Sequence, residues 1–196
     1  MTYDYWRRHL RARVLDLLGK RDRATAEYRA LARLQPGNAR VLNILGYHHA
    51  QAREWRAAAD CFERALAIVP GDADAYFNLG FAYEQLGDPA HAVARFEQAV
   101  ARQRTLDRAW YGLGMCYARL GRHQDAVNAL SEATALQPMN AVGWYALGMA
   151  HYANGAPEKV EEVVRHLHRF DPVMTRRLIQ DSGRADLAHL VRDLRV

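Results

Sequence analysis

Apolar and small residues recur along the chain at a fixed interval of 34 residues. A leucine–glycine pair returns four times without insertion or deletion, at Leu45-Gly46, Leu79-Gly80, Leu113-Gly114 and Leu147-Gly148. A bulky residue stands three positions before each of these leucines, at Leu42, Tyr76, Trp110 and Trp144. A constant period of this size predicts stacked copies of one supersecondary unit, each of which buries its apolar face on its neighbours.

Each copy predicts two helices joined by a tight turn. In the third copy, one face of the first helix follows the i, i+3, i+4, i+7 spacing with Tyr76, Leu79, Gly80 and Tyr83. Gly87 predicts the end of that helix, because glycine tolerates the left-handed conformation that closes a helix. Asp88 and Pro89 predict the N-cap and first residue of the second helix. The second copy departs from this turn, since it has Ala52-Arg53 where glycine is expected.

The fourth copy carries the most complete motif, from Trp110 to Tyr117 and then at Ala126, Leu130, Ala133 and Pro138. This pattern resembles the tetratricopeptide repeat (TPR) family. We count five units, at residues 5–38, 39–72, 73–106, 107–140 and 141–174. The resemblance implies an all-α, right-handed superhelical solenoid over residues 1–174, in which the first helices line a concave groove that holds a peptide or protein segment.

Residues 175–196 are predicted to form a C-terminal capping segment, because solenoids need a polar-faced end. The sequence predicts a short helix from Met174 to Gln180 and a turn at residues 181–183. A last amphipathic helix is predicted from the apolar positions Leu187, Leu190, Val191 and Leu194. This segment either caps the solenoid or reaches into a groove, its own or that of a second copy.

The first helices carry a second apolar stripe beside the buried one. Phe77 and Phe81 are four residues apart and lie about 100–140° round the helix from Tyr76. A helix that is apolar on two faces needs two partners, and the second is expected in the groove. The predicted partner-binding residues are Asn43, Tyr47, Phe77, Phe81, Tyr111, Met115, Tyr145, Met149 and Tyr152. Such an aromatic and methionine surface favours an amphipathic or apolar protein segment.

Catalysis, metal binding and cofactor binding are not expected. His48 and His49 are adjacent and no two histidines are spaced i, i+4, so none forms a helical metal pair. No Ser/His/Asp order, glycine-rich phosphate loop or Cys-His nucleophile motif is found. Cys61 and Cys116 stand at buried-type positions and are interpreted as inert packing residues of a reducing compartment, so cytoplasm is the expected location.

Charge is uneven along the chain, whose net charge is +5. Residues 1–40 have a balance of +6, residues 41–164 of −4 and residues 165–196 of +3. Basic ends could attract an acidic partner, a membrane surface or nucleic acid. We favour solvated helix faces over nucleic-acid binding. No run of 18 apolar residues is present, which argues against a membrane span.

The sequence therefore predicts a non-catalytic protein–protein interaction module of the adaptor or chaperone-like kind. The alternative is a self-assembling structural scaffold, a homo-oligomer in which the groove is occupied by its own C-terminal helix or by a second copy.

Overall fold

The computed structural model describes residues 3–191, and within that range it contains helices and turns but no strand. The prediction of an all-α fold is therefore confirmed for the described part of the chain. The chain divides into two compact units, residues 1–102 and residues 103–196. From residue 3 onward, the first unit contains six helices: α1 (Tyr3–Leu17), α2 (Arg21–Leu34), α3 (Ala39–Gln51), α4 (Trp55–Ile68), α5 (Ala73–Gln85) and α6 (Pro89–Arg102).

The second unit contains five α-helices within its described residues, followed by a short 3-10 helix. They are α7 (Asp107–Arg119), α8 (His123–Leu136), α9 (Ala141–Ala153), α10 (Pro157–Leu167), α11 (Pro172–Asp181) and the 3-10 helix Ala185–Val191. In both units, helices that follow each other in the predicted repeats pack side by side. Two helices fall in each of the first four predicted repeats, whereas the fifth also contains the start of α11. The division into five repeats stays a prediction.

Side-chain N-caps fix where several of the first helices begin. Asn38, Asp72 and Asn140 accept a hydrogen bond from the backbone amide three residues later, at 3.2, 2.9 and 3.2 Å. Asp171 caps α11 in the same way at 2.8 Å. Each such cap contributes about 1 kcal/mol to helix stability. Leu106 stands at the equivalent place before α7 and offers no side-chain acceptor, so α7 begins without this cap.

The turns inside the helix pairs share one backbone conformation at a 34-residue step. Gly87 has φ of +79°, and the amide of Asp88 donates to the carbonyl of Tyr83 at 3.0 Å. Arg53 has φ of +60°, although it is not glycine, and Glu54 donates to His49 at 2.9 Å. The second copy therefore keeps the predicted turn despite its departure in sequence, and Arg53 carries the strain of a left-handed L-residue.

The repeated glycines allow large side chains of the partner helix to lie directly on the backbone. A Cβ built on Gly46 would be 2.8 Å from the Phe62 ring, and one on Gly80 would be 2.8 Å from the Phe96 ring. On Gly114 it would be 2.5 Å from Leu130 Cγ. These distances are far below van der Waals contact, so the small-residue row sets the closeness of the helix pairs.

The last member of this glycine row has a different partner. A Cβ on Gly148 would be 2.6 Å from Leu178 of α11, whereas the repeat predicts contact with Val164 of α10. Val164 is shorter than the phenylalanine or leucine at the equivalent places, so the space above Gly148 is taken by Leu178. The C-terminal segment is thus packed on α9 as part of the second unit's core.

The predicted last helix is present over residues 185–191 as a 3-10 helix and not as an α-helix. Leu187 and Val191 are buried as expected, and Leu194 lies outside the described residues. Arg184 holds the start of this segment on α10, because it donates to the carbonyl of Pro157 and pairs with Glu161 at 3.3 Å. These contacts favour the 3-10 conformation, because a segment of seven residues is too short for α-helical hydrogen bonds to stabilise it strongly.

Candidate functional site

An open cleft of about 520 Å³ lies in the first unit on the side of the first helices. Helix α3 supplies its central wall, with Asn43 and Tyr47 one helical turn apart. The lining residues are Asp16, Arg21, Tyr28, Asn43, Ile44, Tyr47, His48, Gln51 and Asn78. Tyr47 is 54% exposed, so its ring is available to a bound segment.

The polar wall of the cleft is held in place by a network around His48. Its Nε2 lies 3.2 Å from Asp16 Oδ1 of α1, and its Nδ1 lies 3.1 Å from Thr25 Oγ1 of α2. The Tyr28 ring lies against the imidazole, with ring centroids 5.2 Å apart. Burial, together with the Asp16 carboxylate, raises the pKa of Tyr28 to about 12. The wall is therefore pre-formed and three helices contribute to it.

Asn43 has a structural contact as well as a place in the cleft. Its Nδ2 donates to Asp72 Oδ2 at 2.8 Å, and Asp72 also caps α5 through its other oxygen. The side chain thus ties α3 to the beginning of the next first helix. Its Oδ1 is buried and has no hydrogen-bond partner among the described residues.

The two phenylalanines predicted on α5 differ in accessibility. The Phe77 ring is half-buried and packs on the core residue Phe96, with centroids 5.8 Å apart. Phe81 is 38% exposed, and its ring meets Trp55 edge to face at 5.7 Å. Phe81 therefore offers an accessible edge, whereas Phe77 contributes mainly to packing.

In the second unit, the predicted row lies on α7 and α9. Tyr111, Met115, Tyr145 and Met149 are half-buried, and Tyr152 is exposed. Tyr145 already has a partner in the chain, because its hydroxyl donates to Asp181 Oδ2 of α11 at 2.6 Å. That hydrogen bond raises the pKa of Tyr145, and the Arg177 guanidinium lies 5.1 Å from the centre of its ring. The C-terminal segment thus covers part of the row here.

Comparison with known proteins supplies the family. Residues 6–171 match the family model described as the cilia and flagella-associated protein 70 C-terminal domain, a TPR domain. The chain belongs to this TPR family. A search of curated proteins found no significant match.

Several solved TPR structures share the fold. A MamA crystal structure has a TM-score of 0.79 at 18% identity and covers 100% of this chain and 99% of its own. MamA from Desulfovibrio magneticus RS-1, from residue 41 to its end, has a TM-score of 0.79 at 18% identity, with 92% and 98% covered. YrrB, described as a TPR protein with an unusual peptide-binding site, has a TM-score of 0.77 at 23% identity, with 88% of each chain covered.

Some residues of this TPR cleft were not predicted from the sequence. The repeat pattern does not place Tyr28 in a cleft, and for His48 the sequence raised only the question of metal binding. Their joint position with Asp16 depends on three helices, which no single helical wheel can show. Within residues 3–191, no group of three metal-ligating side chains is found, and no helix is long and apolar enough to cross a membrane.

Proposed function

We propose that this TPR chain is a non-catalytic interaction module that binds a peptide or helical segment of a partner protein on the side of its first helices. The observation that carries the proposal is the cleft of the first unit, in which the exposed Tyr47 stands beside a pre-formed polar wall. Ligand sites combine an apolar contact surface with a few fixed polar groups in this way. The YrrB description, a TPR protein with a peptide-binding site, supports the same use of the fold.

The chemistry of the cleft favours an amphipathic segment. Tyr47 and the half-buried Ile44 offer apolar contact area. Asp16 and Arg21 line the same cleft and present one charge of each sign. A ligand with an apolar side chain flanked by polar groups fits both features, and Tyr is a residue that anchors interfaces at low entropy cost.

The remaining members of the predicted row offer apolar groups within each unit separately. Among the predicted binding residues of the first unit, Phe81 on α5 is an exposed aromatic like Tyr47. Met115 and Met149 give the second unit flexible, polarizable side chains, which adapt to irregular apolar ligands. The two buried free cysteines, Cys61 and Cys116, support our inference of a cytoplasmic, reducing location.

The test starts from peptides selected on the purified chain from a random peptide library. Tyr47→Ala is expected to weaken the binding of a selected peptide by about 2 kcal/mol, or roughly thirtyfold, as measured by calorimetry. Leu34→Ala is the matched control, since Leu34 lies in the same unit, is 49% exposed and is outside the cleft. Equal loss of binding in both variants, or none in Tyr47→Ala, would contradict the proposal.

A second candidate function is a self-assembling scaffold whose binding surface is occupied by its own C-terminal segment. The contact of Tyr145 with Asp181 and Arg177 favours an occupied surface in the second unit, and assembly would add a second copy as occupant. The segment that makes this contact is α11. Light scattering at two protein concentrations separates the candidates, because a monomer at both concentrations supports the adaptor and growth with concentration supports the scaffold.

A further inference from the structure

Helix α1 has two apolar faces, and only one of them is covered by the described residues of the chain. The covered face consists of Tyr5, Ala12 and Leu15, which belong to the core of the first unit. The second face is solvent-exposed along the whole helix. Its residues follow the 3-4-4-3 spacing of a single helical stripe: Tyr3, Trp6, Leu10, Val14 and Leu17. We call these five residues the α1 stripe.

The α1 stripe is a continuous surface and not a scatter of single residues. Leu10 is 65% exposed, and it shares one shallow hollow with Tyr3, Trp6 and Val14. From Tyr3 to Leu17 the stripe extends over about 20 Å at 1.5 Å per residue. Isolated exposed apolar residues need no explanation, but an extended patch of this kind indicates an interaction surface.

Cationic side chains flank the stripe on both sides. At about 100° per residue, Arg7 and Arg11 lie along one edge and Arg13 along the other. All three are exposed and line the same hollow as the apolar side chains. Asp4 and Asp16, the acidic residues of α1, lie farther round the helix than these arginines. The net charge of +6 over residues 1–40 has the same sign.

We propose that the α1 stripe lies on a membrane surface that contains anionic lipids. An interfacial helix combines apolar and aromatic residues on one face with arginines beside them, so that the rings and aliphatic groups enter the headgroup region while the guanidinium groups meet the phosphates. Trp6 and Tyr3 are the residue types enriched at that depth. Arg13 supplies attraction to negative headgroups. Arg7 and Arg11 are paired with Asp4 and Glu27 at 2.8 and 3.3 Å, but both guanidinium groups are exposed and such surface pairs are weak, so they can also meet lipid phosphates.

A second copy of the chain is the less suitable occupant. If two α1 stripes packed face to face, in either relative direction, arginine edges would lie against arginine edges. The charge pattern therefore disfavours a symmetric dimer through this helix.

The test is co-sedimentation of the full chain with phosphatidylcholine vesicles, with and without phosphatidylserine. We expect binding only to the vesicles with phosphatidylserine, and weaker binding at higher salt. Leu10→Asp should lower the partition coefficient about tenfold or more, because it removes a leucine that the membrane would bury and adds a negative charge. Met139→Asp is the control, since it makes the same charge change at a residue that is 71% exposed in the second unit.

The outcomes separate the occupants and the two proposals. Absence of vesicle binding, equal binding to both vesicle types, or equal loss in the two variants would each overturn the membrane assignment. A dimer that Leu10→Asp dissociates would instead identify a second copy as the occupant. Because Leu10 lies outside the cleft, Leu10→Asp should still bind the selected peptides, so this proposal can fail while the proposed function stands. Unchanged melting curves check that both variants are folded.

Discussion

Replacing Gly114 by alanine is expected to destabilise the second unit, although alanine is the better helix former. A Cβ at Gly114 would lie 2.5 Å from Leu130 Cγ and 2.9 Å from its Cδ2. Carbon atoms in contact prefer about 3.5–4.0 Å, so the leucine has to move by about 1 Å. Leu130 is almost fully buried, so this overpacking costs about 1–3 kcal/mol. The gain in helix propensity offsets only about 1 kcal/mol.

The contact itself can be isolated with a double-mutant cycle. Leu130→Ala alone should cost about 2–5 kcal/mol, because it removes a buried side chain and leaves a cavity. When Gly114→Ala is added to it, the new methyl group has no leucine to meet and fills part of that cavity. The double variant should therefore be more stable than the sum of the single losses predicts, by about 1–3 kcal/mol.

Gly143→Ala provides a matched control within the same unit. It makes the same change in a helix, but a Cβ there would meet its nearest neighbour, Thr134 Cγ2, at an ordinary 3.5 Å. This variant should be unchanged or more stable by up to about 1 kcal/mol. Unfolding in urea, followed by the helical circular dichroism signal, gives the free energies, and constant m-values show that they are comparable. The packing argument is refuted if Gly114→Ala is tolerated as well as Gly143→Ala, or if the two losses simply add.

Three further predictions address the turns, the cleft side and alkaline pH. Arg53→Gly should raise the free energy of unfolding by up to about 1 kcal/mol, because it removes the strain of an L-residue in the left-handed conformation. Gly87→Ala should lower the free energy of unfolding by a similar amount, because it introduces that strain. Equal effects of the two variants in a urea titration would contradict this prediction. Phe96→Ala should lower the free energy of unfolding by about 3–5 kcal/mol. Phe81→Ala should lower it by only about 1–2 kcal/mol, because the Phe81 ring keeps an exposed edge. If the two variants had similar melting temperatures, Phe81 would be a core residue and not part of the proposed binding surface. Because the pKa of Tyr28 is raised to about 12 in the folded state, its protonated hydroxyl contributes stability that is complete below pH 10. As the pH rises toward 12, the free energy of unfolding should fall by up to about 2–3 kcal/mol. In Tyr28→Phe, the free energy of unfolding should depend less on pH in this range.

Features that obey the 34-residue period could be predicted from the sequence. The period places helix ends at Gly87 and at Arg53 alike, because a turn between two packed helices has to close after the same number of residues. The contacts of Gly80 with Phe96 and of Gly114 with Leu130 follow for the same reason, since each glycine meets the residue sixteen positions later. Local spacing and helix packing agree at these positions, and this agreement allows the structure to be predicted from the sequence.

Features that leave the period were not predictable in this way. Gly148 meets Leu178, thirty residues later, because the shorter Val164 leaves room for a side chain from outside the repeat. The hydrogen bond from Tyr145 to Asp181 depends on that same docking of α11. The position of α11 in the second unit is therefore determined by tertiary packing. A helical wheel of α9 or α11 alone does not show that packing.

This difference at the end of the chain changes what the predicted binding row can do. Tyr47 and Tyr145 belong to neighbouring rows of the same repeat pattern and were expected to serve one ligand. Tyr47 remains exposed beside the cleft of the first unit, whereas the hydroxyl of Tyr145 is bound to Asp181. A ligand that engages Tyr145 has to replace a 2.6 Å hydrogen bond to a carboxylate, and bonds to charged groups are worth about 1.5–3 kcal/mol. A ligand at Tyr47 has no such contact to replace. We therefore expect initial binding in the first unit. Asp181→Asn should strengthen binding only for ligands that engage Tyr145.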